Sequence, residues 1–346
     1  MLFTPASQHR VQYSSTTTTM PNNKANNNNN NKDNLNYKSS IDESIMMKFV
    51  IEGSVDETAL LQRYQDAVEQ VTANETKLML WDVLHWAALY NHCQLIKVVL
   101  AQRKRHALTG DQLFPSDKYG VTALHVAVQQ GHLESVVALL SNDGTCDVNA
   151  RDKKPFLRLS ALHLAVNRPN PSMAIIQTLL EHGANVNQET TERRTPLFTC
   201  IQRGHSLQLI ELLLKHGASI NIQDNPRTNG WEYYRVMTPF HLAIKRGDLD
   251  IIKSLIKHGG DPKLFLKDEV GERLIHLSTL QHDQDITRLL MDNGADINVL
   301  DNYGATPLDY AISSVDPTKP DSVSQDTFVQ HLINHYQAKT GQGRKM

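Results

Sequence analysis

Residues 194–221 read RTPLFTCIQRGHSLQLIELLLKHGASIN. Thr195 places a capping hydroxyl directly before Pro196, whose fixed φ suits the first position of a helix. The apolar run that follows ends in the turn QRGH (202–205), and a second apolar run, LQLIELLL (207–214), closes on Gly217. A glycine there suits the left-handed residue that terminates a helix. The stretch predicts two helices of about ten residues each, shorter than the ~12–15 residues needed for marginal stability alone in water. Neither helix can bury its apolar face unaided, so the unit requires neighbours of its own kind.

The neighbours are in the sequence. The same motif appears as WDVLHWAA (81–88), VTALHVAV (121–128), LSALHLAV (159–166), MTPFHLAI (237–244), ERLIHLST (272–279) and ATPLDYAI (305–312). Its key position falls at His85, His125, His163, Phe198, His241, His276 and Asp309, at intervals of 40, 38, 35, 43, 35 and 33. The short intervals set the period and the long ones mark insertions. Second apolar runs follow as LESVVALL and LDIIKSLI, with closures EHGANVN (181–187), KHGGDP (257–262) and DNGADIN (292–298). Thr238-Pro239 and Thr306-Pro307 repeat the capping pair, and Gly183, Gly259 and Gly294 repeat the terminator. In the third copy NRPNPS (167–172) lengthens the inter-helix turn, and in the seventh SSVDPTKPDSVSQDT (313–327) separates the two helices.

Seven tandem copies of so detailed a motif resemble the ankyrin-repeat family, over roughly residues 78–336. The resemblance implies an all-α ankyrin-repeat solenoid, built of helix-turn-helix repeats with β-turn finger loops. It also implies that His85, His125, His163, His241 and His276 hydrogen-bond within and between repeats. With Thr195, Pro196, Thr238, Pro239, Thr306 and Pro307 they form the structural repeat motif. Asn149, Asn187, Asn221 and Asn298 match the β-turn asparagine that is hydroxylated in some members.

The ends differ. Residues 21–36, PNNKANNNNNNKDNLN, follow a Thr run at 16–19 and offer almost no apolar surface to offset ordering entropy. Residues 1–40 are therefore expected to form a disordered leader. Residues 41–77 are expected to form a helical N-terminal cap, with Ser54 and Glu57 at capping-box spacing. The array occupies 78–336, and 337–346 is expected to be a flexible tail.

Composition narrows the function. Thirty-five Lys and Arg against 37 Asp and Glu give a formal charge of −2, unlike the strongly basic balance of a nucleic-acid binder. No run approaches 18 apolar residues, the N-terminus lacks a secretory apolar core, and three cysteines are too few for a disulfide framework. These features predict an intracellular protein, monomeric alone, in the cytoplasm or nucleus. Sixteen histidines invite a metal reading, but eleven have repeat-level places. Beyond the motif histidines, His182, His216 and His258 precede terminator glycines, and His132, His205 and His282 lie at inter-helix turns. No HExxH or CxxC spacing, nucleophile elbow or phosphate loop is present. Cys200 sits at an alanine-like packing position. No metal, cofactor or catalytic residue is expected.

Family members generally bind through inter-repeat loops and the adjacent concave face. The longest insertion, QDNPRTNGWEYYRVM (223–237), places Trp231, Tyr233 and Tyr234 beside Arg227 and Arg235, residue types enriched at interface hot spots. A second, NARDKKPFLRLS (149–160), offers Phe156 with Lys154 and Arg158. The four long loops carry only three more Lys and Arg than Asp and Glu, too small a surplus for tracking a nucleic-acid backbone. The expected function is a non-catalytic scaffold or adaptor for protein partners. Alternatives are a bacterial effector delivered into a eukaryotic host cell, acting in the host cytosol, or the substrate-recognition subunit of a ubiquitin-ligase-type complex. An enzyme ranks last.

Overall fold

The structure, a computed structural model, describes residues 83–109, 113–141, 145–153, 157–225, 236–264, 270–315 and 326–341. The expected leader (1–40) and N-terminal cap (41–77) lie outside these residues. The chain divides into two compact units, one ending at Leu242 and the other beginning at Ala243.

Up to the division the helices come in pairs. They are α1 (Val83–Leu89) with α2 (Cys93–Arg105), α3 (Ala123–Gln130) with α4 (Leu133–Leu140), α5 (Ala161–Asn167) with α6 (Met173–Glu181), and α7 (Pro196–Arg203) with α8 (Leu207–Lys215). The helix α9 (Pro239–Arg246) contains the division. First helices α1, α3, α5 and α7 pack on one another in succession, and second helices α2, α4 and α6 do the same beside them. Leu124, Leu139, Leu162, Ile176, Leu179, Leu197 and Ile210 are all but fully buried in this stack. Each such side chain contributes about 1.5–3 kcal/mol relative to exposure.

From Ala243 onward come α10 (Leu249–Lys257), α11 (Leu274–Leu280), α12 (Gln284–Asp292), α13 (Pro307–Ser313) and α14 (Thr327–Asn334). Helices α10 and α12 pack together, as do α11 and α13, with α14 against α13. Isolated antiparallel bridges pair Ser116 with Thr122 and Arg151 with Ser160.

Local sequence accounts for the helix ends. Pro196, Pro239 and Pro307 open α7, α9 and α13. The hydroxyls before them accept the amides of Phe198 at 3.2 Å, His241 at 3.3 Å and Asp309 at 3.3 Å. Gly183 and Gly217 stand at φ 84° and 83°, in the left-handed region that a Cβ disfavours. In the third repeat α5 instead ends on Arg168 in extended conformation, and the lengthened turn is held by its guanidinium on the carbonyls of Val128 and Gln129.

The described part of the expected tail makes contacts of its own. Residues 338–341, read as part of a flexible tail, are bonded to the array: Lys339 N donates to Asn298 Oδ1 and Gly341 N to Asp309 Oδ2, each at 2.8 Å. Ala338 is buried. Composition alone did not reveal that Asn298 and Asp309 supply acceptors for an otherwise polar strand of chain.

Candidate interaction surface

Five of the β-turn fingers are each built on one polar side chain, a buried aspartate in four of them and a half-buried threonine in the other. In the finger before α3, Asp117 Oδ1 accepts the amides of Tyr119 and Val121, both at 2.8 Å. Before α5, Asp152 Oδ1 accepts Leu159 N at 3.0 Å, and before α9 Asp224 Oδ1 accepts Met237 N at 2.7 Å. Before α7 a threonine does this work, Thr190 Oγ1 taking the amides of Glu192 and Arg194 at 3.3 and 3.1 Å. In the second unit Asp301 Oδ1 accepts Tyr303 N and Ala305 N at 2.9 and 2.8 Å. Burial pushes the Asp224 carboxyl up from the ordinary aspartate range, against the opposing pull of Arg194.

Backbone bonds join consecutive fingers of the first unit. Lys153 N donates to Tyr119 O, Thr191 N to Leu157 O at 3.0 Å, and Asn225 N to Glu192 O at 2.7 Å. The result is a row of fingers with fixed spacing, in which the 149–160 and 223–237 segments flank the finger at 189–195. Arg158 is exposed in this row at φ 52°. Lys154, Phe156, Arg227, Trp231, Tyr233, Tyr234 and Arg235 lie outside the described residues. The base of the longest loop is described, and Asp224 and Met237 clamp it by exchanging bonds.

The motif histidines are structural parts. Thr122 N, Ser160 N and Arg273 N donate to Nδ1 of His125, His163 and His276 at 3.1, 3.3 and 3.2 Å. Nε2 of His85, His163 and His276 faces the carbonyls of Val121, Arg194 and Ala305 at 2.9, 3.2 and 3.2 Å. A carbonyl only accepts, so this nitrogen carries the proton in each. Nδ1 of His241 lies 2.7 Å from the Thr238 hydroxyl. Burial pushes His125 and His163 down to about 4 and lowers His276 as well.

The asparagines tie successive turns together. Asn149 donates Nδ2 to Gly183 O at 3.0 Å and accepts Asn185 N at 2.7 Å; Asn187 does the same with Gly217 O at 2.9 Å and Ser219 N at 2.6 Å. Asn298 uses its side-chain oxygen on Lys339, while Asn221 donates its backbone amide to Ser219 Oγ at 3.4 Å.

Two constellations bear on chemistry. Burial pushes the Cys146 and Cys200 thiols up to about 12, away from the thiolate a nucleophile requires. In the second unit His282 Nε2 lies 2.6 Å from Ser314 Oγ, and its Nδ1 lies 3.5 Å from Asp326 Oδ2. The order is that of a nucleophile, base and acid, but a backbone carbonyl shares the trio. Ser314 donates to Ala311 O at 2.7 Å, and His282 Nε2 faces the same carbonyl at 3.1 Å. Ala311 O thus competes with the imidazole for the serine proton.

Sequence reasoning missed the finger aspartates and this trio. Asp117 and Asp301 stand eight positions before the key residues His125 and Asp309, but insertions move Asp152 and Asp224 to 11 and 17 positions before theirs, breaking the spacing. The trio gathers residues from 282, 314 and 326, with no local signal. Among the described residues no helix is long and apolar enough to cross a membrane, and no group of three or more His, Cys, Asp or Glu could hold a metal ion.

A family model described as ankyrin repeats matches in three copies, over residues 59–152, 146–224 and 240–340. The chain is 26% identical over 298 aligned positions to the transient receptor potential cation channel subfamily A member 1 of Homo sapiens, covering 67% of this chain and 26% of that protein. It is 34% identical over 122 positions to the nuclear factor NF-kappa-B p105 subunit of Mus musculus, covering 35% of this chain and 12% of that one. The chain thus spans about a quarter or less of the length of these relatives. Among solved structures, the ankyrin repeat domain of Bcl-3, described as a unique member of the IkappaB protein family, superposes with a TM-score of 0.56 at 19% identity. That match covers 67% of this chain and 94% of the other. At that identity the likeness is one of fold.

Proposed function

Because the chain belongs to the ankyrin-repeat family, we propose that it is a non-catalytic scaffold or adaptor that holds a protein partner on the finger row of its first unit. One observation carries this reading: the Thr191–Leu157 and Asn225–Glu192 backbone bonds hold described ends of the 149–160 and 223–237 loops on either side of one finger. A row fixed in this way has little ordering entropy left to lose on binding. The high thiol pKa values speak for recognition rather than catalysis. The near-even charge balance speaks for protein rather than nucleic acid. Asn149, Asn187, Asn221 and Asn298 remain proposed hydroxylation positions, which peptide mapping of material from the native source would reveal as an added oxygen.

The test is affinity capture with the full chain and mass spectrometry of what is retained. The unaltered chain is compared with Trp231→Ala/Tyr233→Ala/Tyr234→Ala and with Lys154→Ala/Phe156→Ala/Arg158→Ala, each first shown to be folded by circular dichroism. Partners lost with either variant support the finger row. Partners kept in full by both variants place binding elsewhere and overturn it.

A further inference from the structure

We infer that the finger at 149–160 docks an acidic stretch of a partner protein, with Arg151, Lys153 and Arg158 as its receptors. This inference rests on the reading that the finger row takes a protein partner, and adds what that partner presents.

The argument begins with a contrast between adjacent fingers. In the finger at 189–195 the cations are already neutralised: Arg193 Nε sits 2.9 Å from Glu189, and Arg194 lies 2.8 Å from Glu192 and 3.5 Å from Asp224. In the finger before it, no carboxylate among the described residues pairs with Arg151, Lys153 or Arg158. The nearby acids are otherwise engaged. Asp152 is buried on Leu159 N, Asp147 Oδ1 accepts Asn149 N at 2.9 Å, and Glu189 holds Arg193. Three cations thus stand together where the next repeat spends its own cations internally.

They are also held in place. Arg151 is half-buried, with Nη1 donating to Glu189 O at 3.3 Å and Nε and Nη2 to the Gln188 side-chain oxygen, so its charge, rather than a free fork, faces a partner. Arg158 projects from a backbone at φ 52°, a conformation a non-glycine residue adopts only when its surroundings impose it. The bond from Thr191 N to the carbonyl of its neighbour Leu157 is part of that imposition. Two open grooves of about 560 and 530 Å³ share Arg151, Arg158 and Thr191 in their walls; Glu189 lines the first, and Lys153, Asp147 and Asp152 line the second, leaving each with a cationic surplus. Leu157, 40% exposed, adds an apolar contact beside the charges. A guanidinium fork such as that of Arg158 donates bidentately to a carboxylate, so the chemistry that fits is Asp and Glu side chains interrupted by an occasional apolar residue. Exposed charges of this kind act mainly on association rate, and salt screens them.

The test uses fluorescence anisotropy with the full chain and three labelled probes: a Glu/Asp-rich peptide with interspersed Leu, its Gln/Asn isostere, and a single-stranded RNA of equal length. The acidic peptide is expected to bind at least about 10-fold more tightly than the isostere, mostly through its association rate, and to weaken steeply with salt. Arg151→Gln/Lys153→Gln/Arg158→Gln is expected to remove that advantage. Lys153→Gln/Arg158→Gln, which alters only exposed side chains, is expected to remove most of it even if the half-buried Arg151 proves needed for folding. Equal binding of acidic peptide and isostere, equal binding to the unaltered chain and the double variant, or RNA binding as tight as the peptide overturns the inference. The two readings separate cleanly. If captured partners depend on the finger loops but the acidic peptide does not bind, only this inference falls. If captured partners ignore both loop variants, the wider reading falls.

Discussion

The side chain of Asn187 crosses from one turn to the next, donating Nδ2 to the carbonyl of Gly217 at 2.9 Å. Its Oδ1 accepts Ser219 N at 2.6 Å, so one amide satisfies both a donor and an acceptor of the following repeat. Asn149 makes the same pair of bonds one repeat earlier. Asn187→Ala is expected to cost about 1–2 kcal/mol, since partly exposed hydrogen bonds contribute modestly. Asn187→Asp keeps the acceptor but sets an anion against the Gly217 carbonyl, and is expected to cost at least as much. Urea midpoints check both; an Asp variant as stable as the native chain would contradict the donor assignment.

His125 and His163 make stability depend on pH in a definite direction. Burial lowers both from the ordinary 6.5 to about 4, so the folded chain holds them neutral where the unfolded chain takes up protons. Their contribution is full above 6.5 and is lost as pH falls toward 4, by at most roughly 3 kcal/mol for each histidine. The urea midpoint is expected to fall between about pH 7.5 and pH 5, and His163→Gln is expected to flatten that fall. Equal midpoints at the two pH values would refute the burial argument.

Much of this was legible in the sequence because a repeat displays its own grammar. Thr195-Pro196 and Gly217 each mark a helix end by a local conformational preference, and repetition turned weak signals into one strong one. The finger ladder was not legible. The Thr191–Leu157 bond joins two loops of unequal length, and its register depends on how the insertion at 149–160 folds. Loop length marked candidate loops, but gave no sign that Arg193 and Arg194 would find carboxylates while Arg158 would not. Ion pairing depends on side chains from neighbouring repeats, and periodicity is silent about it.

Ser314 offers a direct check on the reading that the chain is not an enzyme. Its hydroxyl faces both Ala311 O at 2.7 Å and His282 Nε2 at 2.6 Å, so the carbonyl competes with the imidazole for its proton. A fluorophosphonate probe is expected to leave Ser314 unlabelled at neutral pH, with no difference between the native chain and Ser314→Ala. Labelling of Ser314 abolished by His282→Gln would show that the imidazole can act as a base and would reopen catalysis.

Asp309 occupies the position where other repeats carry histidine, and it does more than the residue it replaces. Its Oδ2 accepts Thr306 N at 2.8 Å, the Thr306 hydroxyl at 2.9 Å and Gly341 N at 2.8 Å. One carboxylate oxygen therefore caps α13 and anchors the last described residues. Asp309→Ala is expected to cost about 2 kcal/mol, from the lost cap and a charged acceptor. Asp309→His restores the capping partner used elsewhere but leaves Gly341 without its acceptor, and is expected to recover about half of that loss. Truncation after residue 337 removes the same contact from the other side. The truncation and Asp309→Ala should therefore cost less in combination than their separate effects added together. Strict additivity in denaturant titrations would mean that the Gly341 contact contributes nothing, and that Asp309 acts on α13 alone.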